Sequence, residues 1–243
     1  MSLVYRGAAV ICVIAALSGC SGVTSSSAGF AFTIAGVNPV PVNGSQDTHA
    51  QTPDAACDSA TFARDKAVGA EIATGFAVAN FPVAAYLLRH FLSGGGTRVD
   101  YPPGSTISKE ALASSAFQAV NNAVQEAILR QLSSGAGHVR LAAASLPTAA
   151  FESKTSDLYW GFRGTQGLKV TGRGSRENGR YVGTLSYVIS DSYGFPAGDT
   201  LDGFGPPMRY LQTMCGAPRH AGGAHWFPDT ITVTVPFNRA GPA

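Results

Sequence analysis

SDLYWGFRGTQGLKVTGRGSRENGRYVGTLSYVISDSYGF, residues 156–195, holds two alternating runs on either side of Arg176-Glu177-Asn178-Gly179. Asn-Gly supplies the positive φ angles of a tight turn, and the flanking Val, Leu, Tyr and Thr suit a pleated, half-buried surface. The pattern predicts a β-hairpin over about 167–191. In its first arm Leu168, Val170 and Gly172 alternate with Gly167, Lys169 and Thr171. In its second, Tyr181, Gly183, Leu185, Tyr187 and Ile189 alternate with Val182, Thr184, Ser186 and Val188. The same period of two returns at 230–237, where Ile231, Val233, Val235 and Phe237 share one side and Thr230, Thr232 and Thr234 the other. That run is expected as a third strand, antiparallel to the second.

Upstream the period is helical. Asp58 or Ser59 can cap a helix carrying Phe62, Val68, Ile72 and Phe76, and Pro82 suits the first turn of a second helix with Val83, Tyr86, Leu87 and Phe91. Gly94-Gly95-Gly96 ends it as a cap and loop, since a phosphate cradle would need a strand before the glycines and Lys-Ser or Lys-Thr after them. A third helix is expected over 108–133, with Leu112, Ala116, Val120, Val124, Ile128 and Leu132 along one face, and a short one over 208–214 after Pro206-Pro207. Helices grouped before strands indicate an α+β fold: helices at about 58–133 packed on a small antiparallel sheet of the hairpin and the strand at 230–237. At 243 residues, 57–243 is expected to be a single domain.

The N-terminus has the build of an export signal, with Arg6 followed by an apolar core from Gly7 to Leu17, too short to span a bilayer. Leu17-Ser18-Gly19-Cys20 then resembles the lipobox of bacterial lipoproteins at all four positions. The resemblance implies removal of residues 1–19, diacylglycerol on Cys20, and a chain held to the exported face of a cell membrane. Residues 20–56, rich in Ser, Gly, Ala, Asn and Pro, read as a flexible tether, in which Phe30 to Ile34 has the option of docking as an edge strand. With Cys12 lost and Cys20 acylated, Cys57 and Cys215 remain. An even remainder in an oxidising compartment favours one disulfide; the alternatives are a buried free pair, or a nucleophilic Cys215 with His220 or His225 as its base.

A net charge of +2 carries no nucleic-acid footprint, and the cluster Lys169, Arg173, Arg176 and Arg180 reads as a solubilising loop. No zinc spacing is present, and neither metal nor cofactor is implied. The candidate catalytic groups are Asp191, Tyr193, Asp199, Asp202, His220 and His225; carboxylate pairs, or a carboxylate with an imidazole, can divide acid and base roles across a cleft. Against this, aspartates in a Gly/Pro-rich connection commonly bond turn backbone. Tyr159, Trp160, Phe195 and Trp226 read as a lid on the core.

Ser156 to Phe162, the hairpin, and Asp191-Ser192-Tyr193-Gly194-Phe195 resemble a module at the C-termini of bacterial secreted polymorphic toxins, as do Arg89 to Gly94 and Met208 to Ala217. The resemblance carries no established activity and transfers no catalytic residue. Asp191 and Tyr193 are also similar to the Asp-x-Tyr-Asp motif of lipid II-degrading bacteriocins of the colicin M type, but Gly194 replaces the second Asp. Two functions are therefore expected to compete, a lipid-anchored module binding a protein or envelope partner and an envelope hydrolase acting on lipid II or glycan, with a toxin or its immunity partner as a third class.

Overall fold

Asn178 and Gly179 take φ values of 48° and 74°, the pair of positive angles a tight two-residue hairpin turn requires. The arms they join are β4 (Gly167–Glu177) and β5 (Arg180–Tyr193), paired antiparallel from Glu177 opposite Arg180 to Gly167 opposite Ser190. The computed structural model describes residues 31–38, 57–94, 96–142, 151–163, 165–195, 203–217 and 220–241. They form an α+β fold, six helices and a mixed six-stranded sheet.

β6 (Phe227–Ala240) lies antiparallel to β5 as expected, but is longer than 230–237 and runs the whole length of its neighbour. The sheet itself is neither small nor purely antiparallel. β1 (Ala31–Asn38), β2 (Val99–Tyr101) and β3 (His138–Leu141) complete it in the order β2-β6-β5-β4-β1-β3, with β1 parallel to β3 and β2 parallel to β6. Residues 31–38, which composition assigned to the tether, form an interior strand: Phe32 and Ile34 turn into the core while Thr33 and Ala35 face out. Gly174 and Gly183 stand opposite one another in the hairpin, and a Cβ at Gly174 would meet the Phe32 ring at 2.5 Å. The bare backbone there is what lets the Phe32 ring lie across the sheet.

The helices follow their predicted signals in most places. α1 (Ser59–Val78) is capped by Asp58, whose carboxylate accepts from the Thr61 N–H at 2.7 Å. α2 (Pro82–Leu92) begins on its proline, and Gly94 beyond its end has φ +92°. The expected helix over 108–133 is two helices, α3 (Thr106–Ala113) and α4 (Ser115–Ser133). Ser114 breaks it: its backbone is extended, and its hydroxyl accepts from the Phe117 N–H and donates to the Ala111 carbonyl, serving both helix ends at once. Val120, Val124, Ile128 and Leu132 are buried as expected, joined by Phe117. α5 (Asp157–Phe162) is a short helix in a stretch to which no element had been assigned, and α6 (Gly205–Thr213) starts before its two prolines.

The inner sheet face, with Leu185, Tyr187, Ile189, Ile231, Val233 and Phe237, meets the helices. Phe117 of α4 packs edge-on to Tyr187 at 5.0 Å, and Phe91 of α2 lies 6.3 Å from Tyr193. Behind α2, α1 is joined to the segment after α6 by a Cys57–Cys215 disulfide, which the even cysteine count anticipated. Apart from the buried Thr230, the outer sheet face is exposed or half-exposed, carrying Lys169, Arg173, Thr234 and Pro236.

Candidate functional site: a buried acid pair

At the end of the sheet opposite the hairpin turn, the last residues of β5 lie across from the first of β6. Asp191 is the direct partner of Asp229, and Tyr193 of Phe227, whose rings stack at 5.4 Å. On the other side of β6, Val99 of β2 is opposite Asp229 and Asp100 is opposite Thr230. Two carboxyls thus face each other on the inner side of adjacent strands, where alternation normally places apolar side chains.

Asp229 is 0% exposed, and among the described residues neither of its oxygens has a hydrogen-bond partner beyond its own residue. Burial raises its pKa well above the ordinary carboxylate range, and the negative charge of Asp191 adds to the rise, with a smaller push from Asp100. Asp191 is 7% exposed and accepts from the Ser192 N–H at 2.8 Å. Asp100 points outward, and the Thr230 hydroxyl and then Arg98 lower its pKa. The Tyr101 hydroxyl is a second buried group with no partner among the described residues, its pKa raised by burial and next by Asp229. The pair can therefore hold one proton at pH values where an ordinary aspartate has lost its own.

Asp157 has a different task. It accepts from the Ala84 and Val83 amides at 2.8 and 3.3 Å, capping α2, whose own N-cap residue Phe81 supplies no side-chain bond. Burial raises its pKa, while those two amides oppose the rise.

Of the groups nominated from sequence, Asp191 and Tyr193 come together at this sheet end. Asp199 and Asp202 lie outside the described residues, as does Cys20. His220 packs on Phe62 of α1 at 4.4 Å, and His225 turns its Nδ1 to the Trp226 carbonyl while its amide bonds Phe91. Among the described residues neither imidazole is hydrogen bonded to an aspartate, so the expected carboxylate–imidazole arrangement is not formed there. The disulfide also removes Cys215 as a nucleophile. Tyr159 and Phe195 are buried, and Trp160 packs on Phe76 at 5.2 Å, as a core lid would. Sequence reasoning missed Asp229, Asp100 and Tyr101. Carrying the period of Ile231, Val233 and Val235 back by one step puts Asp229 on their inward side, and that was the available signal.

An open cleft of about 390 Å³ lies elsewhere, at the start of α4, lined among others by Ser114, Ser115, Phe151, Glu152 and Ser153. Among the described residues no cluster of three or more His, Cys, Asp or Glu is arranged to hold a metal ion. Comparison with known protein families, with curated proteins and with solved structures finds no match.

Proposed function

We propose that this chain is an exported lipoprotein, held to a bilayer through acylated Cys20 and presenting an α+β domain that binds a protein or envelope partner. The observation that carries the reading is Leu17-Ser18-Gly19-Cys20 directly after an apolar signal core. Two features support it. The Cys57–Cys215 bond suits an oxidising compartment, and among the described residues no helix is long and apolar enough to cross a membrane, so attachment by acyl chains has a purpose. The resemblance of residues 156–195 to toxin-associated modules supports a role in contact with other molecules rather than in metabolism. Intact-mass analysis of the membrane-extracted chain tests it: the expected species begins at Cys20 and carries diacylglycerol, and a chain of full length without lipid overturns the reading.

One observation favours the second function. A general acid must keep its proton at working pH, and Asp229 is placed to do so beside Asp191. Both carboxyls are buried, Asp229 fully, so hydrolysis would require this end of the sheet to open before Asp229 could donate that proton to a leaving oxygen and Asp191 take one from water. Hydrolysis of peptidoglycan or a lipid-linked glycan by the wild-type chain, lost in both Asp191→Asn and Asp229→Asn, would replace the binding reading with this one.

A further inference from the structure

The hairpin end of the sheet carries a ring of cations. Arg173 and Arg176 of β4, Arg180 of β5 and Arg239 of β6 are all exposed, and register brings them together: Arg176 pairs with Tyr181 and Tyr181 with Arg239, while Arg180 closes the turn opposite Glu177. Strand alternation puts Arg173 and Arg180 on the outer face and Arg176 and Arg239 on the inner one, so they surround the tip. Their contacts are neutral. Arg176 lies over the Tyr181 ring at 5.6 Å, Arg180 Nε donates to the side-chain amide Oδ1 of Asn238 at 2.8 Å, and Arg239 Nε donates to the side-chain amide Oε1 of Gln125 at 2.8 Å. Among the described residues none of the four is ion-paired, and the nearby Glu177 is bonded to Ser175. Exposed guanidinium groups without carboxylate partners are suited to phosphate oxygens.

The direction of β1 says what they face. Its first residue, Ala31, pairs with Ser175 beside the turn, and the strand then runs away from the tip to Asn38 opposite Leu168. The chain therefore enters the sheet at its cationic end. Eleven residue steps separate Cys20 from Ala31, a reach of at most about 40 Å when fully extended. From the level of Ala31, across from Ser175 and so from Val182 of β5, the sheet runs on to Tyr193, about 36 Å at 3.3 Å per residue. A domain acylated at Cys20 can stand with its hairpin end pointing away from the bilayer only if the eleven steps from Cys20 to Ala31 are drawn out almost fully, at a cost in chain entropy that the opposite orientation does not carry.

We infer that the hairpin end is a docking face for anionic phospholipid headgroups, a second contact that orients the domain whose anchor is acylated Cys20; the inference rests on that reading of Cys20. Each arginine close to an anionic surface strengthens the contact about fivefold. With four of them, the tip spends most of its time against the lipid at low salt and leaves it when salt screens the surface.

The test uses the full chain extracted from membranes, its N-terminus defined by intact mass, on vesicles of phosphatidylcholine alone or with one-third phosphatidylglycerol. Phenylglyoxal modification is followed at each arginine by mass spectrometry. Arg173, Arg176, Arg180 and Arg239 are expected to react about fivefold or more slowly on the anionic vesicles, with half-molar sodium chloride restoring the rate. Arg98, at the other end of the sheet, should not change. In the exposed double variant Arg173→Gln/Arg180→Gln, protection of Arg176 and Arg239 should fall below about twofold; the same loss in Lys109→Gln, on α3, would overturn the inference. Equal reactivity on both vesicles overturns it, as does protection by soluble polyphosphate without protection by vesicles, which would point to a polymeric anion. If the mass shows no acyl group, the reading of Cys20 falls by itself. The same comparison, with vesicles in excess, then still decides for or against the cationic tip.

Discussion

Replacing Asp229 by asparagine takes an ionisable carboxyl out of the sheet at a point where nothing described balances its charge. The folded chain holds the Asp229 proton more tightly than the unfolded chain, in which an aspartate titrates near about 3.9. Its contribution to stability is therefore fully present below that value and is lost as pH rises toward the raised folded pKa. Within that window one proton is worth about 1.4 kcal/mol per pH unit, a slope that the wild type has and Asp229→Asn lacks. Asp58 and Asp100, whose pKa values are lowered, act with the opposite sign but are common to both chains and cancel in the difference. Urea unfolding followed by tryptophan fluorescence, from pH 4 to 8 at constant ionic strength, measures this difference directly. The two profiles should diverge with rising pH, the variant becoming the more stable. In Asp191→Asn the window should narrow, because part of the rise comes from the facing charge. Parallel wild-type and Asp229→Asn profiles would refute the assignment of a tightly held proton to this position.

Breaking the Cys57–Cys215 bond, at a sequence separation of 158, should cost up to about 5 kcal/mol on the chain-entropy account; urea midpoints with and without reductant measure it, and identical midpoints would count against the bond. Asp157→Ala leaves the Val83 and Ala84 amides unmet and should destabilise by about 1–3 kcal/mol, with Asp157→Asn recovering part of that in thermal melts. Gly174→Ala brings a Cβ to 2.3 Å from the Val182 carbonyl oxygen, for an expected loss of about 1–3 kcal/mol in chemical unfolding. Gly75→Ala in α1 meets nothing within 4 Å and should gain about 0.5–1 kcal/mol, so the same substitution has opposite signs at the two sites.

Where a local signal is long or chemically sharp, it survives into the fold. Asn178-Gly179 makes its turn, Pro82 opens α2, and the alternation after Thr230 is a strand. The short elements had too few residues to display a period: β2 has three, β3 four and α5 six. β1 has eight, but Ser, Gly and Pro around it diluted the Phe32–Ile34 alternation until it resembled tether. Ser114 looked like an ordinary helical position because a cap is defined by what its hydroxyl bonds, which spacing does not contain. The acid pair was half visible for a related reason. Asp191 and Tyr193 drew attention as a motif, whereas Asp229 matters through its register with Asp191, set by a ladder of residues nearly forty positions apart.

The placement of β1 has a consequence for how the molecule comes into being. This strand is made early, yet its neighbours are residues 138–141 on one side and 168–175 on the other, more than a hundred positions later. As the polypeptide emerges, an apolar ribbon has to wait for both borders of its slot to be synthesised, which makes assembly slow in the way of other long-range pairings. Until it is filled, the edge of β4 stays open to strands of neighbouring molecules. Clipping the chain between Asn38 and Cys57 would leave the helices attached to the hairpin but turn an intramolecular closure into an encounter between two fragments.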